Sequence, residues 1–130
     1  MNNTQKMLDL AKESSLNAYA PYSKFCVGAC ILTNSQKFYC GCNVENVSFP
    51  VGSCAETGAI AAMVAGGDTT IKEILIYAPS KELIYPCGAC RQRIAEFADS
   101  DTLVHLADAN GIQKTYHIND LLPYSFKEIK

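Results

Sequence analysis

Two short segments constrain this chain more than any other feature: Cys54-Ala55-Glu56 and, further along, Pro86-Cys87-Gly88-Ala89-Cys90. Each stands where a helix is expected to begin. Cys54 to Ala65 is rich in Ala, Ile and Met and stops at Gly66-Gly67, a helix with a glycine terminator. Pro86 suits the opening of a second, shorter helix reaching about Phe97. A helix N-terminus favours the anionic form of a thiol. The two-residue gap lets the Cys87 and Cys90 thiolates converge on one ion, and Gly88 removes a side chain where the backbone must turn. Two helix starts that face one another across a shared ion would fix how the two halves of the chain meet.

The donor set points to zinc. A structural zinc takes four protein ligands, whereas a catalytic zinc keeps one position open. No His or fourth Cys is near Cys54, Cys87 and Cys90 in sequence. His105 falls on an expected strand and His117 at the end of another, both better read as packed or capping than as ligands. Glu56 lies in the same first helical turn as Cys54. There it can take a proton from a metal-activated water and return it elsewhere. A Cys-x-x-Cys pair alone is also a common redox pair or structural clip; the third Cys and the Glu favour a catalytic centre.

The remaining sequence frames this site. The chain has 130 residues, 48% of them hydrophobic, which suits one globular domain spanning residues 1–130. The net charge of -2 offers no basic excess for nucleic acid or anionic membrane. No run approaches the roughly 18 apolar residues of a membrane span. The polar start, Met1 to Lys6, does not read as a secretory signal. A cytoplasmic, reducing location is expected, where clustered cysteines serve metals or catalysis more often than disulfides.

Periodicity predicts a helix over 4–18, with Thr4 as N-cap. A hairpin follows from Val27–Thr33 and Lys37–Val44, then the Cys54 helix. Ile71–Ala78 reads as a strand buried on both faces. After the Cys87 helix come strands at Thr102–Leu106 and Gln113–Ile118, joined by a turn at Asp108-Ala109-Asn110-Gly111, and a surface tail from Leu121 to Lys130. This order predicts an α/β fold: a mixed five-stranded sheet sandwiched by helices. Cys26, Cys30, Cys40 and Cys42 read as small buried hydrophobes. At about 3.3 Å per residue along a strand, Cys26 and Cys30 are too far apart to share a metal.

Cys-Ala-Glu followed by Pro-Cys-Gly-Ala-Cys resembles the zinc-deaminase signature, with Cys as first ligand in place of His. The likeness extends over Tyr19 to Phe25, Val27-Gly28-Ala29, Gly41 to Asn46, Arg91-Gln92 and Leu121-Leu122-Pro123. On these motifs the chain resembles the small, three-cysteine class of cytidine deaminase. The resemblance implies a cytidine deaminase-like α/β/α fold and one Zn²⁺ per subunit. It implies hydrolytic deamination of free cytidine and deoxycytidine at C4, in pyrimidine salvage. Glu56 would take the water proton, deliver it to N3, and protonate the departing ammonia. It also implies a homotetramer with sites at subunit interfaces, where Phe126 closes a neighbour's pocket. Asn43 and Glu45, two apart at a strand end and on one face, would bind the ribose 3′-hydroxyl. Phe25 would be a wall for the base. The backbone of Ala55 would serve the base and the zinc-bound oxygen. A carboxylate on the ribose hydroxyl would repel phosphate, so the partner is a small nucleoside and not a nucleic acid.

Thr57 departs from the family, which has Arg directly after the catalytic Glu. Three thiolates on Zn²⁺ leave a net negative charge that this Arg would offset. Helix N-termini and Arg91, with Arg93 as a further contributor, are expected to carry the neutralisation instead. The loop Val47 to Ser53, with Phe49 and Pro50, leaves substrate preference open. The competing readings are a deaminase of another cytosine-bearing nucleoside and a non-catalytic zinc-stabilised module.

Overall fold

The computed structural model describes residues 2–127. Its elements run α1 (Asn3–Ser15), β1 (Gly28–Thr33), β2 (Phe38–Cys42), a 3-10 turn (Phe49–Val51), α2 (Ala55–Ala65), β3 (Ile71–Tyr77), α3 (Gly88–Glu96), β4 (Ala98–Asp108), β5 (Gly111–His117) and α4 (Ile118–Leu121). The strands form one five-stranded sheet in the order β2-β1-β3-β4-β5. Only β3 and β4 run parallel, and α3 lies in the connection between them. The other neighbouring pairs are antiparallel, two of them closed by tight turns. Gln36 (φ 66°) and Gly111 (φ 107°) supply the left-handed residues of those turns.

Alternation along β1 divides the core between the two faces of the sheet. Ala29 and Ile31 point to a cluster with Ala59, Met63, Ile74, Ile94 and Val104, which α2 and α3 cover. Cys30 and Leu32 point the other way, to Met7, Leu8, Ala11 and Leu75 under α1. Two glycines let the helices approach. A Cβ on Gly28 would lie 1.9 Å from the Ala11 carbonyl oxygen in α1. A Cβ on Gly41 would lie 2.3 Å from the Ala59 nitrogen and 2.6 Å from the Ala55 oxygen in α2. Backbone therefore packs directly on backbone at both places.

The structure corrects several boundaries. Helix α1 ends at Ser15, not 18, because Leu16 is 85% exposed and its apolar character buries nothing. Its N-cap is Asn2, whose Oδ1 accepts from the Thr4 amide at 2.9 Å. Strand β3 is not buried throughout: Lys72 is exposed and Glu73 half-buried. Strand β4 begins earlier than expected, at Ala98, across a register shift facing Ile71 and Glu73. Ile118 leaves the strand and opens α4 behind a His117 N-cap. Leu121 is core rather than surface, and residues 128–130 of the expected tail lie outside the described residues. His105 Nε2 donates to Glu73 Oε1 at 2.7 Å and its Nδ1 pairs with the Thr115 hydroxyl at 2.8 Å, the packed role expected of it. Of the four cysteines read as buried, only Cys30 is fully so; Cys26, Cys40 and Cys42 are half-buried.

Candidate metal centre and active site

Cys54 is the N-cap of α2 and Cys87 the N-cap of α3, both in extended backbone conformation. Neither side chain caps its own helix, so both thiols are free to point at a common centre. Cys90 lies one turn into α3 and is fully buried. The three Sγ atoms lie within 4.8 Å of one another. A tetrahedral zinc with bonds of about 2.3 Å holds its sulfurs roughly 3.8 Å apart, so the three thiols are already gathered on the scale of such a site. Among the described residues this is the one group of three potential ligands that converges in this way. The two helix N-termini add unpaired amide N–H groups and the positive ends of their dipoles.

Glu56 is 5% exposed, in the first turn of α2 beside the thiol cup. Burial raises its pKa above the ordinary carboxylate range; Cys90 and Arg93 oppose this in part. Burial and the neighbouring Glu56 and Cys54 likewise push Cys90 far up. Burial raises Cys54 as well, whereas Cys87 is lowered, burial there being outweighed by hydrogen bonds with Cys90 and Cys54. A divalent cation relieves the crowding of these thiols against a buried carboxylate. The donor chemistry and the spacing both fit one Zn²⁺ per subunit.

The guanidinium that touches this cup is Arg93, whose Nη1 donates to the Cys90 Sγ at 3.7 Å. Arg91 is used elsewhere, donating to the carbonyls of Pro86 and Leu121 at 2.8 Å each. Arg91 thus ties α3 to α4, and the expectation that it offsets thiolate charge is not met. The Oγ1 of Thr57 is buried without a hydrogen-bond partner.

Asn43 and Glu45 follow the end of β2 and organise the preceding loop. Asn43 Oδ1 accepts from the Val27 amide at 2.9 Å, and its Nδ2 donates to the Phe25 carbonyl at 2.8 Å. Glu45 Oε1 accepts from the amides of Tyr22 and Ser23 at 3.0 and 3.1 Å, and its Oε2 accepts from the Ser23 hydroxyl. These bonds, the Ser23 hydroxyl first, hold Glu45 below the ordinary carboxylate range. Phe25 is half-buried and belongs to neither core cluster. Ala55 is buried at the first position of α2. Phe126 is 66% exposed, with its backbone clamped from both sides: its amide donates to Gln92 Oε1 at 3.0 Å, and Gln92 Nε2 donates to its carbonyl at 2.8 Å. Sequence reasoning missed the Tyr22–Ser23 cradle and the Gln92 clamp. Both depend on contacts between residues distant in the chain, which no local pattern carries.

Three cysteines shared between two helix starts, with a buried carboxylate alongside, define the active centre of a zinc hydrolase. The model of the cytidine and deoxycytidylate deaminase zinc-binding region matches residues 1–106. The chain is 36% identical over 124 residues to a cytidine deaminase of Sporosarcina psychrophila, covering 95% of this chain and 91% of that one. It is 41% identical over 112 residues to the cytidine deaminase of Mycoplasma genitalium, covering 85% of each. The crystal structure of cytidine deaminase from Burkholderia pseudomallei superposes with a TM-score of 0.90 at 37% identity, over 97% of this chain and all of that one. The chain belongs to the cytidine deaminase family of zinc enzymes.

Proposed function

We propose that the protein hydrolyses free cytidine and deoxycytidine to uridine and deoxyuridine, releasing ammonia. The observation that carries this reading is the buried Glu56 carboxyl beside the Cys54, Cys87 and Cys90 thiols. Zinc bound by those thiols supplies a Lewis acid that makes water nucleophilic near neutral pH. Glu56, with its pKa raised by burial, accepts the proton of the attacking water and delivers it to N3 of the pyrimidine. It then takes the remaining proton from the hydroxyl now on C4 and passes it to the C4 amino group. The C4–N bond breaks, ammonia leaves, and the water oxygen remains as the new carbonyl.

Asn43 and Glu45 hold the ribose. The cradle of Tyr22 and Ser23 keeps Glu45 ionised, so it accepts from a sugar hydroxyl and repels a phosphate. Phe25 walls the base, and the Ala55 backbone meets the pyrimidine edge. Cys54 and Cys87 are exposed in the single subunit, and so are Val47, Phe49 and Phe126. Exposed ligand cysteines together with these exposed apolar side chains support a homotetramer whose neighbours close each site, Phe126 reaching into the adjoining pocket. One sheet recruits strands from both halves of the chain, which supports a single domain over 1–130. No helix among the described residues is long and apolar enough to cross a membrane, in keeping with a cytoplasmic role in pyrimidine salvage.

The test is ammonia release by zinc-loaded protein given cytidine, deoxycytidine and cytidine monophosphate in parallel. Turnover of both nucleosides and not the nucleotide is expected. Zinc-loaded protein inactive on all three would overturn the reading in favour of a modified nucleoside or a non-catalytic zinc module.

A further inference from the structure

On the face of the sheet away from the zinc cup, Cys30 of β1 stands directly opposite Cys40 of β2. The ladder shows what kind of pair they form. The Thr33 amide donates to the Lys37 carbonyl at 2.9 Å, and the Asn43 amide to the Val27 carbonyl at 3.3 Å. The pairs 33:37 and 27:43 are therefore hydrogen-bonded positions. Antiparallel pairs alternate, so 29:41 and 31:39 share that character and 30:40 does not. Non-hydrogen-bonded partners have Cα atoms about 4.5 Å apart, with side chains drawn together. That separation lies inside the roughly 4.4–6.8 Å that a disulfide spans.

The two thiols differ in access. Cys30 is fully buried beneath α1, and Cys40 packs beside it half-buried. A small reagent reaches Cys40 first and finds Cys30 behind it. The charge balance runs the same way. The Cys30 thiol beside it holds Cys40 down to about 7, assisted by Ser14 and opposed by burial and Glu13. Cys30 is driven far up by Cys40 and by burial, with Lys6 opposing. One sulfur is thus set to be an accessible thiolate and the other a protonated, protected thiol. The second pair on this face lacks that geometry. Cys42 stands opposite Gly28, and Cys26 precedes the strand, so neither thiol has the other directly across from it.

We propose that Cys30 and Cys40 are a peroxide-reactive pair that closes a reversible disulfide across the β1–β2 hairpin. The Cys40 thiolate attacks one oxygen of a hydroperoxide, the O–O bond breaks, and the leaving hydroxide or alkoxide takes up a proton. Cys40 is now a sulfenic acid. The Cys30 sulfur attacks the Cys40 sulfur, the S–O bond breaks, and the hydroxyl departs as water with the Cys30 proton. Two thiols lose two electrons and one peroxide gains them. A dithiol restores the reduced pair by exchange.

The experiment treats zinc-loaded protein with near-stoichiometric hydrogen peroxide, alkylates the remaining thiols in denaturant, and maps the peptides by mass spectrometry. Cys30 and Cys40 should lose alkylation together, appear in one cross-linked peptide, and recover with dithiothreitol, while Cys26 and Cys42 stay alkylatable. In Cys40→Ser, Cys30 should stay alkylatable after peroxide. In Cys30→Ala, Cys40 should be trapped as a sulfenic acid by dimedone. Peroxide consumption by Cys54, Cys87 and Cys90 with zinc release, while Cys40 stays alkylatable, overturns the proposal. So does oxidation of Cys40 without linkage to Cys30. The wild-type map decides the matter even if a variant fails to fold.

Discussion

The molecule carries two groups of cysteines on opposite faces of one sheet, and they behave differently because of the elements that hold them. Cys54, Cys87 and Cys90 sit at two helix N-termini, where short turns bring three sulfurs within 4.8 Å. Cys26, Cys30, Cys40 and Cys42 come from the β1–β2 hairpin and its approach, where an extended chain separates same-face neighbours by about 6.6 Å. Strands can pair sulfurs across a ladder, but they cannot gather three around an ion. Helix starts can, and they add unpaired amides and a favourable dipole. The same residue type thus yields a metal cup on one face and a thiol pair on the other.

The largest expected effect tests the chemistry of the first face. In the proposed mechanism Glu56→Gln removes the proton carrier alone, so it should keep the fold and zinc yet lower kcat by about 10²–10⁴-fold. Zinc content and steady-state kinetics measured together check this; loss of zinc in the variant would make Glu56 part of the metal's support instead. The two close-approach glycines sharpen the comparison. Gly28→Ala and Gly41→Ala each drive a Cβ into helix backbone, at 1.9 Å from Ala11 and 2.3 Å from Ala59. Both should cost about 1–3 kcal/mol by overpacking. Only Gly41→Ala should also speed zinc loss to a chelator, because Gly41 seats the first turns of α2. Equal zinc loss in both would mean that the two faces are not independent.

Arg93→Gln comes next. Arg93 donates to the Cys90 sulfur but is itself exposed, so solvent screens part of its charge. Removing a partner of this kind lowers metal affinity or activity by about 10–100-fold. The low end is expected here, with Arg93→Lys recovering part of it. Arg91→Gln should leave zinc affinity unchanged and lower stability instead, through the lost bonds to Pro86 and Leu121. Competition with a chelator and thermal melting separate the two variants.

Much of this arrangement was legible from the residues. The α-β-β-α-β-α-β-β order, the hairpin turns, and the two cysteine-bearing helix starts all have local signals: periodicity, glycine stops, and the Cys-x-x-Cys spacing. What sequence could not give were contacts set by tertiary packing. Arg91, directly after Cys90, looks better placed than Arg93 to serve the thiolates, and only the direction in which α3 faces α4 assigns Arg91 to Leu121 and leaves Arg93 on the Cys90 sulfur. Leu121 resembles tail, yet α4 turns it into the core. Cys30 and Cys40 read as unrelated small hydrophobes because pairing across a ladder depends on register, which the turn residues fix only once the turn is known.

The smallest expected effect concerns Glu45, just after the end of β2. Its carboxylate accepts three hydrogen bonds from Tyr22 and Ser23, which hold its folded pKa below 4.5. A group with a depressed folded pKa contributes stability above its unfolded value and loses it as pH falls through the folded one. The advantage of the wild type over Glu45→Gln in melting temperature should therefore be fully present near neutrality. It should shrink on acidification below 4.5, and vanish once the carboxyl is protonated. Because the group is solvent-accessible, the difference should be small and should narrow further with added salt. Melting both proteins across that pH window checks the sign. An advantage that grows on acidification would mean that the loop holds the neutral acid, and that Glu45 is not poised to repel a phosphate.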